Sequence, residues 1–179
     1  MSKLETNTID TVSGTTNLTI GSTNTSTITM PNGALTGQNY PAFRATKSAT
    51  QSCAHNATTL ITFDGTDFDT DSAFSTTNSK FTVPTGKGGK YLFLGQSECP
   101  GVDTGEIVQL QINKNDSIVT RSLERKYAAA TNQGQKVRTW VILDLSAGDT
   151  MDFRLFQNSG GAQNIDQTET SFSGFRIGA

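Results

Sequence analysis

Asp67, Asp69 and Asp71 stand at alternate positions with Asp64 just upstream, the densest run of chemically capable side chains in the sequence. The D-x-D-x-D spacing is that of a loop offering carboxylate oxygens to calcium, a hard cation that takes oxygen ligands. Ser72 occupies the position where such a loop needs glycine, and Asn78 the position of its bidentate glutamate. The favoured reading is a solvated loop between strands, with Asp67, Asp69 and Asp71 as a weak calcium candidate. His55 is the only histidine. Nucleophilic catalysis needs a base beside a serine or cysteine, and the spacing nominates no such pair, so His55 reads as a loop residue. Glycoside hydrolysis needs two facing carboxylates, whereas the acidic residues here fall mostly in turns. Arg121, Arg125, Lys126, Lys136 and Arg138 make a mildly basic stretch, read as a solvated face rather than a polyanion site. No catalytic residue and no cofactor are expected.

Cys53 and Cys99 are too few for a disulfide framework and lack metal-ligand spacing, so they are expected to be reduced. Asn17-Leu18-Thr19 and Asn56-Ala57-Thr58 match glycosylation sequons, which a chain rich in Asn and Thr produces by chance. A net charge of −2 implies neither a nucleic-acid partner nor an anionic membrane. Met1 to Thr6 lack the apolar run of a signal peptide, and no apolar stretch is long enough to span a bilayer. The expectation is a soluble protein made in the cytoplasm, without membrane insertion.

The elements that position these residues fall into two regions. Residues 1–40 carry only Lys3, Glu5 and Asp10 as charged side chains, and Tyr40 as their only aromatic. Leu18-Thr19-Ile20 and Ile28-Thr29-Met30 repeat a short alternation, and Gly14, Gly21 and Gly33 supply turns. The apolar side chains are too few to offset the entropy of ordering this segment alone. It is either a flexible Ser/Thr/Asn linker or a β-type stalk that shares its apolar stripe with other copies, and the regular spacing favours the stalk. Residues 41–179 hold the tryptophan and almost all the aromatics, and read as a run of strands. The expected strands are 42–48, 58–63, a short one near Phe74, 80–84, 90–95, 106–113, 116–123, 137–145, 150–157 and 171–177, a number that suits a jelly roll.

Face by face, these strands differ. Val108, Leu110 and Ile112 alternate with Gln109 and Gln111, which suggests one wet face. In 90–95, Tyr91 and Phe93 oppose Leu92 and Leu94; in 137–145, Val141, Leu143 and Leu145 oppose Trp140 and Ile142; in 171–177, Phe175 and Ile177 oppose Phe172. A strand apolar on both sides is buried on both sides, whereas a two-sheet sandwich buries only one face of each sheet. With no helices to supply a cover, further copies of the chain are the expected one. Leu92, Leu94, Trp140, Ile142 and Phe172 are the candidates for that interface, although parity alone leaves open which face points inward.

Phe63, Asp69, Phe74 and Phe81 follow the pattern F-x5-[ND]-x4-[FYWL]-x6-F, and Gly89-Lys90-Tyr91-Leu92-Phe93 follows as G-x-Y-x-F. Leu143 to Asp149 then gives an L-x-x-G-D-type turn, and Phe172-Ser173-Gly174-Phe175 a closing F-S-G-F. This resembles the globular head of the complement C1q family, a relative of the tumour-necrosis-factor jelly roll, over residues 42–179. Two positions depart from it: Thr85-Gly86-Lys87-Gly88 lies in a longer connection before Gly89, and Gly95 stands where the family has an aromatic. The resemblance implies an all-β, ten-strand jelly-roll sandwich that assembles as a homotrimer and serves recognition rather than catalysis. It also implies that the inner sheet contains the three strands found apolar on both faces.

Stretches like Val12-Ser13-Gly14-Thr15-Thr16-Asn17-Leu18-Thr19-Ile20-Gly21 are similar, in composition, to fibre and appendage proteins of tailed bacteriophages. The expected function is a structural virion appendage, a tail or capsid fibre or spike. Its N-terminal segment would bind another virion protein, and its trimeric head a host-surface glycan or protein. The alternatives are a free lectin-like binding protein of the complement type and a polysaccharide-degrading enzyme. Alternating strand directions put the tight turns 113–116 and 146–149 at one end and the long loops 96–105, 126–136 and 158–170 at the other. Tyr127, Asn132, Gln133, Gln135, Asn158, Gln163, Asn164 and Gln167 are the receptor-binding candidates on those loops, since amides suit sugar hydroxyls.

Overall fold

Short runs of β-branched and aromatic residues, separated by Gly, Asn and Asp at turns, build an antiparallel fold in the computed structural model, which describes residues 40–178. The strands are β1 (Ala42–Thr46), β2 (Gln51–Cys53), β3 (Ala57–Leu60), β4 (Gly65–Asp69), β5 (Phe74–Ser75), β6 (Lys80–Thr82) and β7 (Gly89–Val102). They continue as β8 (Ile107–Lys114), β9 (Ser117–Ile118), β10 (Glu124–Tyr127), β11 (Gln133–Leu145), β12 (Thr150–Gln157), β13 (Gln163–Ile165) and β14 (Ser171–Gly178). The expectations for a stalk over residues 1–40 lie outside the described residues, Tyr40 apart.

The strands form two facing sheets. One has the order β11-β7-β14-β1-β4; the other has β10-β8-β12-β6-β5, with β3 also on β12 and β9 on β8. A small third sheet pairs β13 with β2. Between the two large sheets lies a core of stacked rings. Phe43 stacks on Phe74 and Phe81 at 5.0 and 4.9 Å, and Phe172 stacks on Phe153 at 5.4 Å. Gly95 and Gly174 make room for these rings. A Cβ on Gly174 would stand 2.6 Å from Phe93 and 2.7 Å from Phe43, and one on Gly95 would overlap the Phe153 ring. The glycine that departs from the family pattern is thus matched by an aromatic arriving from the opposite sheet.

Ten of the fourteen strands fall on the ten expected runs; β2, β4, β10 and β13 were not foreseen. Several boundaries move. The expected strand 116–123 is only the two-residue β9, followed by a 3-10 turn at Thr120–Ser122. The Ser122 hydroxyl takes the Ile112 amide at 2.8 Å, a ladder position that a longer strand would have used. Asn115 and Asp116 both have positive φ (50° and 62°), which fits the tight hairpin between β8 and β9. Of the aspartate-rich loop, Gly65–Asp69 is instead strand β4, paired with β1, and Asp64 and Asp71 flank it. The glutamine face of β8 is not wet. Gln109 and Gln111 are buried in a chain running from the Arg125 guanidinium through Gln109 and Gln111 to Asn113.

Candidate functional site: the outer face of one sheet and the loop end

β7, β11 and β14 turn their aromatic and branched inner residues into the core: Tyr91, Phe93, Val141, Leu145 and Phe172 are buried. Their alternate residues then point away from it. Leu94, Trp140, Ile142, Phe175 and Ile177 are exposed, Trp140 by 64 % and Ile142 by 51 %, and Leu92 is half-buried. Cross-strand pairing aligns them in rows. Ile142, Leu92, Phe175 and Ala42 make one row, and Trp140, Leu94, Ser173, Arg44 and Phe68 the next. The result is an apolar patch over β11, β7 and β14 on the outer side of the five-stranded sheet, separated from Phe68 by Ser173 and Arg44; such a patch is of the kind that marks interaction surfaces. Four of the five interface candidates, Leu92, Leu94, Trp140 and Ile142, lie on this face.

Phe172 does not. It is fully buried, since its pairing with Gly95 puts it on the core side, and Phe175 and Ile177 take the outer positions. Phe68 on β4, in a stretch whose charges suggest a loop, also projects from the outer face. Two hollows flank Trp140. One of about 350 Å³ is bordered by Arg121, Glu124, Arg138 and Ile142, and one of about 240 Å³ by Leu94, Gln96, Ser171 and Ser173.

The loop end is built by hydrogen bonds between connections. The Ala128 amide donates to Glu106 O and the Gly105 amide to Ala128 O, both at 2.9 Å, and the Asn132 amide donates to an Asp103 carboxylate oxygen at 2.7 Å. Tyr127, Asn132, Gln133 and Asn164 are exposed there. The other four candidates have different positions. Gln135 is buried; Asn158 accepts from the Ile107 amide at 2.6 Å; Gln163 donates to Gly101 O at 3.0 Å; Gln167 has a buried Oε1 without a hydrogen-bond partner. The segment 158–170 is no free loop either, because it contains β13 and the buried Ile165. Likewise the connection expected over 96–105 shrinks, since β7 runs on to Val102. At the opposite end, Lys114 pairs with Asp149 at 2.7 Å, and Arg176 donates to Gly88 O at 2.5 Å and lies 5.8 Å from the Tyr40 ring. The chain therefore enters the head at the tight-turn end.

The aspartates of the calcium candidate are dispersed among other partners. Asp69 accepts the Ala73 and Phe74 amides at 2.9 and 2.8 Å, Asp67 pairs with Arg44 at 3.3 Å, and Asp71 accepts from Thr70 at 3.2 Å. Among the described residues, no group of three or more His, Cys, Asp or Glu side chains is arranged to hold a metal. His55 accepts the Gly160 amide at 2.9 Å. Cys53 and Cys99 are free and buried, and burial pushes the Cys99 thiol up to about 12. Of the basic stretch, Arg125 bonds Gln109 and Lys136 pairs with Glu169 at 2.5 Å.

Two facing antiparallel sheets around a buried aromatic core, with one apolar outer face and one looped end, define a jelly-roll module. The chain belongs to the C1q family: the model of the C1q domain matches residues 42–177. Domains of this family are typically trimeric and bind partners. Among solved structures it is similar to the globular domain of zebrafish complement 1qA, at 17 % identity and a TM-score of 0.56, covering 77 % of this chain and 98 % of that one. It is also similar to the Eiger TNF of S. frugiperda, at 12 % identity and a TM-score of 0.58, covering 78 % and 93 %. No curated protein sequence matches it.

Proposed function

We propose that this chain is a non-catalytic recognition head that works as a homotrimer, the outer face of its five-stranded sheet covered by two further copies. The observation that carries this reading is the exposed stripe of Leu94, Trp140, Ile142, Phe175 and Ile177 on an otherwise well-buried sandwich. Leaving such a stripe in water forgoes about 1.5–3 kcal/mol for each large side chain that could be covered. The family supports three copies rather than two. In this reading residues 1–40 form a stalk that binds another protein of a virus particle, and the exposed loop end meets a host-surface glycan or protein. Support for the particle is the polar, Thr- and Asn-rich composition of residues 1–40.

Sedimentation of the full chain at micromolar concentration tests the assembly. The mass of three chains is expected, and Leu94→Asp or Ile142→Asp should give folded monomers. A wild-type monomer or dimer overturns the reading.

A further inference from the structure

The five-stranded sheet ends in two unlike edges. Near β11 and β10, which packs beside it, positive side chains are in the majority: Arg121, Arg125, Lys126, Lys136 and Arg138 stand against Glu124, Asp144 and Glu169, with Glu98 opposite Lys136. Near β4 it is negative: Asp64, Asp67, Asp69 and Asp71 stand against Arg44 and Lys47. The edges also differ in shape. Beside Trp140 at the β11 edge opens the hollow of about 350 Å³ bordered by Arg121 and Arg138, whereas at the β4 edge Phe68 projects with 48 % of its surface exposed.

Height matters as much as charge. Trp140, Leu94, Ser173, Arg44 and Phe68 form a single cross-strand row, so the hollow and the projection sit at the same level along the strands. A head-to-tail contact between two different patches closes into a ring only when the operation is a rotation without a rise; otherwise it makes a filament. Patches at one level satisfy that condition for an axis that runs along the strands.

We propose, resting on the homotrimer reading above, that the copies meet head to tail, with Phe68 and Asp67 of one copy seated in the Arg121–Arg138–Trp140 hollow of the next. The partner of each basic edge is the acidic edge of a second copy. Leu92, Leu94 and Phe175 lie between the two edges in this arrangement and face the centre of the ring. Opposite charges across the seam fix the register and reject edge-to-like-edge contacts, which is where complementarity contributes most.

Charge reversal in the full chain tests the pairing, read as the concentration at half-dissociation in sedimentation. Arg121→Glu/Arg138→Glu makes both edges acidic, and Asp67→Lys weakens the acidic edge; each should raise that concentration by about tenfold or more. Combining all three substitutions puts opposite charges back at position 67 and at positions 121 and 138, where the two copies touch, and should lower it again well below both single-edge values. Salt should weaken the wild type and strengthen the Arg121→Glu/Arg138→Glu variant, because it screens attraction in one and repulsion in the other. Recovery in the combined variant also shows that the single-edge variants fold. If the single-edge variants assemble as well as wild type, or the combined variant fails to recover, the edge pairing is wrong while the trimer stands. A wild-type chain that never trimerises removes the reading beneath both.

Discussion

Four aspartates show how single residues tie this sandwich together. Asp64 is held below the usual carboxylate range by the Ser48 hydroxyl, Asp116 by Lys80, Asp149 by Lys114 and Asp166 by the Glu169 amide. In the unfolded chain such groups titrate near about 3.9, so the unfolded state takes up protons first as pH falls. Their contribution to stability is complete above that value and is lost as pH drops through the lower folded values. Urea unfolding should therefore have a clearly lower midpoint at about pH 3 than at pH 7; an equal midpoint contradicts it. Much at this scale was legible from parity. Leu92, Leu94, Trp140 and Ile142 were separated from Tyr91, Phe93 and Val141 by alternation alone. Phe172 was misplaced because parity orders residues within a strand and not between strands. The register against Gly95, which admits the Phe153 ring, is what turns Phe172 inward.

At the scale of elements, the strands that escaped notice share a cause. β4 (Gly65–Asp69) and β10 (Glu124–Tyr127) are edge strands, covered on one side only, so their sequences keep charges and lack a hydrophobic alternation. β2 and β13 are three residues each and exist through their pairing with one another. The opposite error, an expected strand at 116–123, arose because Ile118 and Leu123 look like strand residues, whereas Ser122 decides the path. Its buried hydroxyl accepts from the Ile112 amide at 2.8 Å and reaches Ile112 O and Val119 O, doing for β8 what a strand neighbour does elsewhere. Ser122→Ala leaves the Ile112 amide without that acceptor and should cost about 1–3 kcal/mol in chemical unfolding. A loss below a few tenths would mean that the turn is held by packing instead.

At the scale of the molecule, the two candidate surfaces occupy different parts of one sandwich. The loop end offers Tyr127, Asn132, Gln133 and Asn164 away from the chain's point of entry near Tyr40. Asn158, Gln163 and Gln135 hold the scaffold, so the amide count of a sequence overstates a binding surface. On the proposed role as the head of a virus particle, Tyr127→Ala with Asn132→Ala should leave the assembly intact and weaken competition with intact particles for host cells by about tenfold, multiplied by avidity in a trimer. Undiminished competition places recognition elsewhere.

The covering of the sheet's outer face can be read from one side chain. Trp140 is the only tryptophan, and in a single copy 64 % of it is open to water. In the full chain at micromolar concentration its fluorescence should be blue-shifted and shielded from a soluble quencher. Dilution or Leu94→Asp should shift it to the red with unchanged secondary structure. Emission that is red-shifted and freely quenched at every concentration would contradict a face covered by other copies.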